Sequence, residues 1–191
     1  MTILINHNCK SLKKNPRNSI LFVDEMFNIS GLKQNFSKAE YFHILELLKA
    51  RDTKKKILSF DLNSKKKGFF VSVSKNLKAL DVENLGAEFH AFIDYDKNDD
   101  YFVNSDSLKS NVNNFLGYFL LGLKLKSYEF KFYKSKETRK YISVNVIGKK
   151  NKLPKQQQLK FEALERGTFT TRDLVSEPGN ILHPDEYAKR L

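Results

Sequence analysis

The chain is poor in the residues that usually announce a chemistry. Its 191 residues include one cysteine, Cys9, which excludes an internal disulfide framework and any zinc site built mainly from cysteine. Glycine and proline number only 8 and 4, so the chain is neither fibrous nor low in complexity. The amino-terminal residues hold no apolar run ahead of a small-residue cleavage site, so no secretory signal is visible. The longest apolar stretch, Phe115 to Leu125, is broken by Gly117, Gly122 and Lys124 and is too short to cross a bilayer. No Gly-x-Gly-x-x-Gly or Walker-type loop is present. Gly148-Lys149-Lys150 echoes a phosphate loop but lacks the upstream glycine and the Ser/Thr after lysine. His7, His43, His90 and His183 are never three or four residues apart, and His43 and His90 fall beside apolar helix positions, as structural histidines do. His7 and Cys9 would share a strand face, but neither a base nor an oxyanion hole is indicated for a Cys9 nucleophile. Asp24-Glu25, Asp99-Asp100 and Asp185-Glu186 fall at turns or helix starts, where carboxylates favour solvent and helix dipoles. The acidic stretch Asp94–Asp100 lacks the ligand alternation, glycine and terminal glutamate of a calcium loop. The expectation is therefore no catalytic residue, no metal ligand and no cofactor in this segment.

What is present is a globular composition, with 40% hydrophobic and 13% aromatic residues, enough for a sizeable core. Lysine plus arginine is 34 against 22 acidic residues, a net charge of +12. Arginine is confined to Arg17, Arg51, Arg139, Arg166, Arg172 and Arg190, so the excess is lysine. Together with abundant asparagine and phenylalanine, this is what AT-rich codon usage would give. It also suits attraction to a polyanion, because net charge governs encounter rather than fold. The candidate polyanion contacts are Lys54, Lys55, Lys56, Lys65, Lys66, Lys67, Lys149 and Lys150.

Periodicity predicts short buried strands at Thr2–Ile5 and Ser19–Val23, separated by a polar loop with Lys13, Lys14 and Pro16. Ser37 and Glu40 form a capping box for an amphipathic helix from Ser37 to Arg51. A strand follows at Ile57–Leu62, then Lys65–Lys67 and Gly68 as a hairpin connection into Phe69–Val73. The two lysine runs are expected to lie near one another at a sheet edge, where lysine also discourages edge pairing. Further helices are predicted at Asp81–Ile93 and Ser107–Lys124, with a short strand at Tyr101–Asn104. In the latter helix Leu108, Val112, Phe115, Phe119 and Leu123 face the core, and Gly117 and Gly122 need a closely packed neighbour to offset their cost. Tyr141–Ile147 alternates and is β-branched, which predicts a strand. After a basic linker, Pro154 starts a polar helix over Lys155–Ser176, Pro178-Gly179 ends it, and Pro184-Asp185-Glu186 starts another. Strands alternating with helices imply an α/β domain, a mixed sheet flanked by helices, over residues 1–150. Residues 151–191 read as a connecting helix and the start of something further, so the chain is expected to continue.

Thr171 to Ala188 reads Thr-Arg-Asp-Leu-Val-Ser-Glu-Pro-Gly-Asn-Ile-Leu-His-Pro-Asp-Glu-Tyr-Ala. This resembles the domain junction of leucyl (cytosol) aminopeptidases, Ala-Arg-Asp-Leu-Val-Asn-Glu-Pro, then a small residue, Asn and a Thr-Pro-Glu helix start. Arg172, Asp173, Leu174, Val175, Glu177, Pro178, Asn180 and Pro184 match, whereas Thr171, Ser176 and His183 depart from the pattern. Upstream, Gly122 with Tyr128, Phe130, Tyr133 and Lys134 resembles the family's Gly…Tyr-x-Phe-x-x-Tyr-Lys segment. The resemblance implies a macro-domain-like, non-catalytic N-terminal domain of a two-metal exopeptidase that removes N-terminal residues from peptides. It implies zinc, manganese or magnesium in a catalytic domain downstream of Leu191, where the family's Asn-Thr-Asp-Ala-Glu-Gly-Arg motif would lie, and a cytoplasmic homo-hexamer. Arg172 and Asp173 are expected to fix the connecting helix through ion pairs. Two other readings remain open. One is a lysine-rich nucleic-acid-binding module, since some bacterial members of the family bind DNA. The other is a macro-like nucleotide binder.

Overall fold

The computed structural model describes residues 2–7, 9, 17–52, 54–64, 66–94, 99–133 and 141–190. Six strands form one sheet in the order β1-β6-β5-β2-β4-β3: β1 Thr2–Asn6, β2 Asn18–Val23, β3 Ile57–Asn63, β4 Lys66–Ser72, β5 Asp100–Asn104 and β6 Tyr141–Ile147. All pairings are parallel except the β3–β4 hairpin. The expected mixed α/β sheet is therefore borne out.

Strand β2 explains why it lies inside the sheet. All six of its residues are buried, with Ile20 and Phe22 in one apolar cluster and Leu21 and Val23 in the other. A strand that is apolar on both faces needs a layer on each side. On the first face lie α2, Ala79–Asp94, and α3, Phe115–Lys126. Val82, Leu85, Phe89 and Ile93 meet Phe115, Leu116, Phe119 and Leu123 there. On the second face α1, Lys38–Lys49, contributes Ile44 and Leu48 over Leu58, Leu62 and Phe70. The helix starts as its sequence predicts. The Glu40 N–H donates to Ser37 Oγ at 3.2 Å, and the Ser37 N–H donates to Glu40 Oε2 at 2.8 Å.

Glycine sets the α2–α3 crossing. A Cβ at Gly86 would overlap the Phe119 carbonyl, and one at Gly122 would overlap the Glu83 carbonyl. The two backbones therefore touch through reciprocal glycines. This is the close packing expected for Gly122; Gly86, its counterpart in α2, carries no local sign of the same role.

Three expectations need correction. The helix predicted from Ser107 begins at Phe115, because Ser105–Ser107 forms a 3-10 turn and Asn114 adopts a left-handed conformation at φ 58°. The Ser107 hydroxyl accepts the Phe22 N–H at 2.9 Å, so this residue ties the turn to β2 rather than opening a helix. Lys66, Lys67 and Gly68 lie within β4, not in the connection before it. The lysine runs also flank β3 at opposite ends, separated by about 20 Å for a seven-residue strand, so they do not lie together. The loop with Lys13, Lys14 and Pro16, Lys65, most of the acidic stretch before Asp100, and Lys134 lie outside the described residues.

A third layer begins after β6. Helix α4, Lys155–Ser176, packs on α3, and α5, Pro184–Arg190, follows it. With 22 residues, α4 is about 33 Å long. Among the described residues no helix is long and apolar enough to cross a membrane.

Candidate functional site

Helix α4 is polar overall but carries one buried stripe. Gln158 and Phe161 are buried, and Phe161 fills the gap left by Gly117, where a Cβ would overlap its ring. Tyr118 meets Phe161 edge-on, with centroids 5.0 Å apart. One turn further on, the Lys124 ammonium donates to Glu165 at 2.6 Å, with both side chains mostly shielded. Phe169 then stacks at a tilt against Tyr128, with centroids 5.2 Å apart. The spacing 158, 161, 165, 169 keeps these groups on one helix face.

The C-terminal turn of α4 is where the two sequence blocks meet. The Tyr128 hydroxyl donates to Asp173 Oδ1 at 2.7 Å. The Arg172 guanidinium donates to the Leu125 carbonyl at 2.6 Å and lies over the Tyr128 ring, 5.4 Å from its centroid. The Tyr133 hydroxyl donates to Glu177 Oε2. Arg190 of α5 donates to Glu177 Oε1 and to Glu186 Oε1, each at 3.0 Å. Burial, with the Asp173 carboxylate that its hydroxyl meets, pushes the Tyr128 phenol up from its ordinary range. The Tyr133 hydroxyl and Arg190 hold the Glu177 carboxyl below the usual carboxylate range.

The expectation of ion pairs at Arg172 and Asp173 is corrected in kind. Among the described residues their partners are a backbone carbonyl, an aromatic face and a phenol. The residues that match the family pattern, Tyr128 and Tyr133 upstream and Arg172, Asp173 and Glu177 downstream, thus form one clamp across more than forty positions of sequence. Substituting Tyr128→Phe deletes one charge-assisted hydrogen bond and leaves the half-buried Asp173 carboxylate without it. The expected cost is about 1–2 kcal/mol, read as a lower urea midpoint with faster amide exchange in the last two turns of α4. Unchanged exchange there would mean that the clamp does not hold the helix.

The candidate lysines are dispersed. Lys54, Lys55 and Lys56 are exposed before β3. The Lys66 side chain is 8% exposed and its ammonium bonds Glu40 at 2.9 Å, so it is committed inside the protein. Lys67 lies 3.8 Å from Asp61. Lys149 and Lys150 have exposed side chains, while their backbone N–H groups both donate to Asp106 Oδ1, at 2.8 and 2.5 Å. The turn that resembles a phosphate loop therefore holds the chain's own carboxylate.

A polar cavity of about 490 Å³ lies between the end of β1 and the start of α4, lined by His7, Cys9, Asn145, Lys155, Gln158 and Glu162 among others. Burial lowers the His7 imidazole from its ordinary value. His43 is exposed on α1, contrary to its expected structural placement. Among the described residues no three His, Cys, Asp or Glu side chains converge to hold a metal ion. The donor set of a two-metal centre is not assembled from them.

No family model matches the chain. A protein of Phytoplasma mali described as "Probable cytosol aminopeptidase" is 39% identical over 79 residues, 38% of this chain and 16% of that protein. One of Sinorhizobium medicae with the same description is 34% identical over 79 residues, with the same coverage. The chain thus spans about a sixth of the curated relatives it matches. Among solved structures, a mutant of tomato leucine aminopeptidase superposes on 99% of this chain and 41% of its own, with TM-score 0.68 and 16% identity. The bottromycin maturation enzyme BotP superposes on 92% of this chain and 36% of its own, with TM-score 0.64 and 12% identity. A second structure of BotP, in complex with Mn, covers 74% of this chain and 31% of its own, with TM-score 0.58 and 15% identity. The resemblance to the N-terminal region of leucyl aminopeptidases is borne out, as is the fold class it implies.

Proposed function

We propose that this chain is the non-catalytic N-terminal domain of a two-metal leucyl aminopeptidase, with residues 1–150 as the macro-like domain body and 151–191 as the connecting helix and the entry to a catalytic domain. The observation that carries this reading is the clamp at the end of α4. Residues of two separated blocks, each similar to the family's sequence, bond to one another at the point where the chain leaves the domain. Such a clamp fixes the direction in which α4 presents whatever follows. The domain's work is then to position and support the catalytic unit, and to contribute surface to a cytoplasmic homo-hexamer.

The zinc, manganese or magnesium of such an enzyme belongs to the downstream unit, where paired metals polarise the scissile carbonyl and generate hydroxide. The described residues here offer no comparable cluster. Incubated with leucyl peptides and Mn²⁺ or Zn²⁺, the isolated 191-residue chain is expected to release no leucine and to show no stoichiometric metal binding by calorimetry. Metal-dependent hydrolysis by this chain alone would overturn the reading.

A further inference from the structure

We propose that the polar cavity between β1 and α4 binds a short peptide through its free amino group and its free carboxylate together. The cavity belongs to this chain alone, so the proposal does not rest on the two-domain reading. Its volume of about 490 Å³ is ample for a dipeptide and falls within the usual range of ligand pockets.

The starting observation is His7, which lines the cavity at the end of β1. Its Nδ1 is buried and has no hydrogen-bond partner. A buried polar atom left unpaired carries a desolvation cost, and folded proteins leave few of them. The neighbouring amides do not relieve it, because they are held elsewhere. Asn6 Nδ2 donates to Asn145 Oδ1 at 2.9 Å, and Asn145 Nδ2 donates to Ser143 Oγ at 3.3 Å. Gln158, 7% exposed, donates through Nε2 to the Leu153 carbonyl at 2.7 Å, which leaves Oε1 as its acceptor. The walls are thus fixed polar groups with one ring nitrogen unfilled.

The charges select the ligand. Lys155 and Glu162 both line the cavity and stand seven residues apart on α4, about 10 Å along its axis. Among the described residues neither takes part in an ion pair. A simple anion would meet the Glu162 carboxylate, and a simple cation would meet the Lys155 ammonium. A metal ion lacks a donor set among the described residues. A nucleotide would bring two or more phosphates to a lining whose lone ammonium is that of Lys155 among the described residues. A molecule charged oppositely at its two ends satisfies both side chains. The termini of an extended dipeptide lie about 7 Å apart, and the lysine and glutamate side chains span the remainder. In a single amino acid the two charges are too close together to reach both. The carboxylate of the peptide then faces Lys155, its ammonium faces Glu162, and its amide N–H supplies the donor that His7 Nδ1 lacks.

Cys9, the chain's single thiol, lines the same cavity and reports on its occupancy. Calorimetry with alanyl-alanine is run beside the rate of Cys9 labelling by maleimide in the 191-residue chain. Saturable binding at one site and severalfold slower labelling are expected. N-acetyl-alanyl-alanine, alanyl-alaninamide and free alanine should each bind at least about tenfold more weakly. Glu162→Gln should abolish discrimination against the acetylated peptide, and Lys155→Met discrimination against the amide, with thermal melts unchanged. The blocked peptides test the wild-type chain directly, whatever the variants do. No binding at millimolar alanyl-alanine, equal binding of a blocked form or of alanine, or binding that leaves Cys9 labelling unchanged would overturn the proposal. Protection of Cys9 by ADP-ribose and not by the dipeptide would also overturn it, in favour of a nucleotide.

Discussion

Gly86→Ala and Gly122→Ala should each destabilise the chain by about 3 kcal/mol or more, the upper end of overpacking costs, whereas Gly167→Ala should stabilise it by about 1 kcal/mol. One added methyl group produces opposite signs because its surroundings differ. At Gly86 and Gly122 the obstacle is backbone carbonyl, Phe119 in one case and Glu83 in the other. Backbone cannot rotate away as a side chain can, so α2 and α3 must separate. Phe89, Phe115 and Phe119, all essentially buried, would lose contact along the interface. At Gly167 the methyl meets open space, and the helix gains only the reduced freedom of the unfolded chain. Thermal melts of the three variants decide the matter. A Gly122→Ala protein as stable as the parent would mean that the two helices are not in backbone contact.

The second large effect concerns Glu40 and Lys66. The Lys66 side chain is 8% exposed and that of its partner Glu40 14%, with the ammonium also 5.7 Å from the Phe36 ring centroid. Glu40→Gln keeps a side chain able to complete the capping box but strands a nearly buried ammonium. The expected loss is about 3 kcal/mol. Lys66→Met alone leaves the carboxylate without its counter-charge, while the double variant Glu40→Gln/Lys66→Met removes both charges, keeps an acceptor for the Ser37 N–H and should recover most of the loss. A double-mutant cycle in urea measures this coupling, and additive single losses would show that the pair does not act as a unit.

The same pair sets an acid dependence. Burial alone would raise the Glu40 carboxyl, but the Ser37 N–H and the Lys66 ammonium outweigh it, and the group titrates below its ordinary value of 4.5. A carboxyl whose folded value is lowered contributes stability that is fully present above the unfolded value and is lost as pH falls through the folded one. Stability of the parent should therefore drain below about pH 4.5, and this component should vanish in the double variant.

The elements were largely legible because their signals are local. The Ser37–Glu40 capping box, the β-branched alternation of Tyr141–Ile147 and the Pro154 helix start each state their outcome within a few residues. The start of α3 was not legible, because the Ser107 hydroxyl is taken by the Phe22 N–H from 85 positions away, and apolar spacing over Leu108 and Val112 continues regardless. Gly86 carries no local signal for a similar reason. Its role exists only once Gly122 of another helix lies against the same crossing. Within the clamp, sequence indicated which residues matter but not their partners. Arginine next to aspartate suggests ion pairs, and only the folded chain places Tyr128 between them.

A non-catalytic N-terminal domain predicts a plain difference in activity. The 191-residue chain and the polypeptide extended by its downstream coding sequence are assayed side by side for release of leucine from leucyl peptides, with Mn²⁺ or Zn²⁺ present. Metal-dependent release by the extended protein and none by the shorter one is the predicted result. Release by the 191-residue chain alone, or a folded extended protein that releases none, would contradict it.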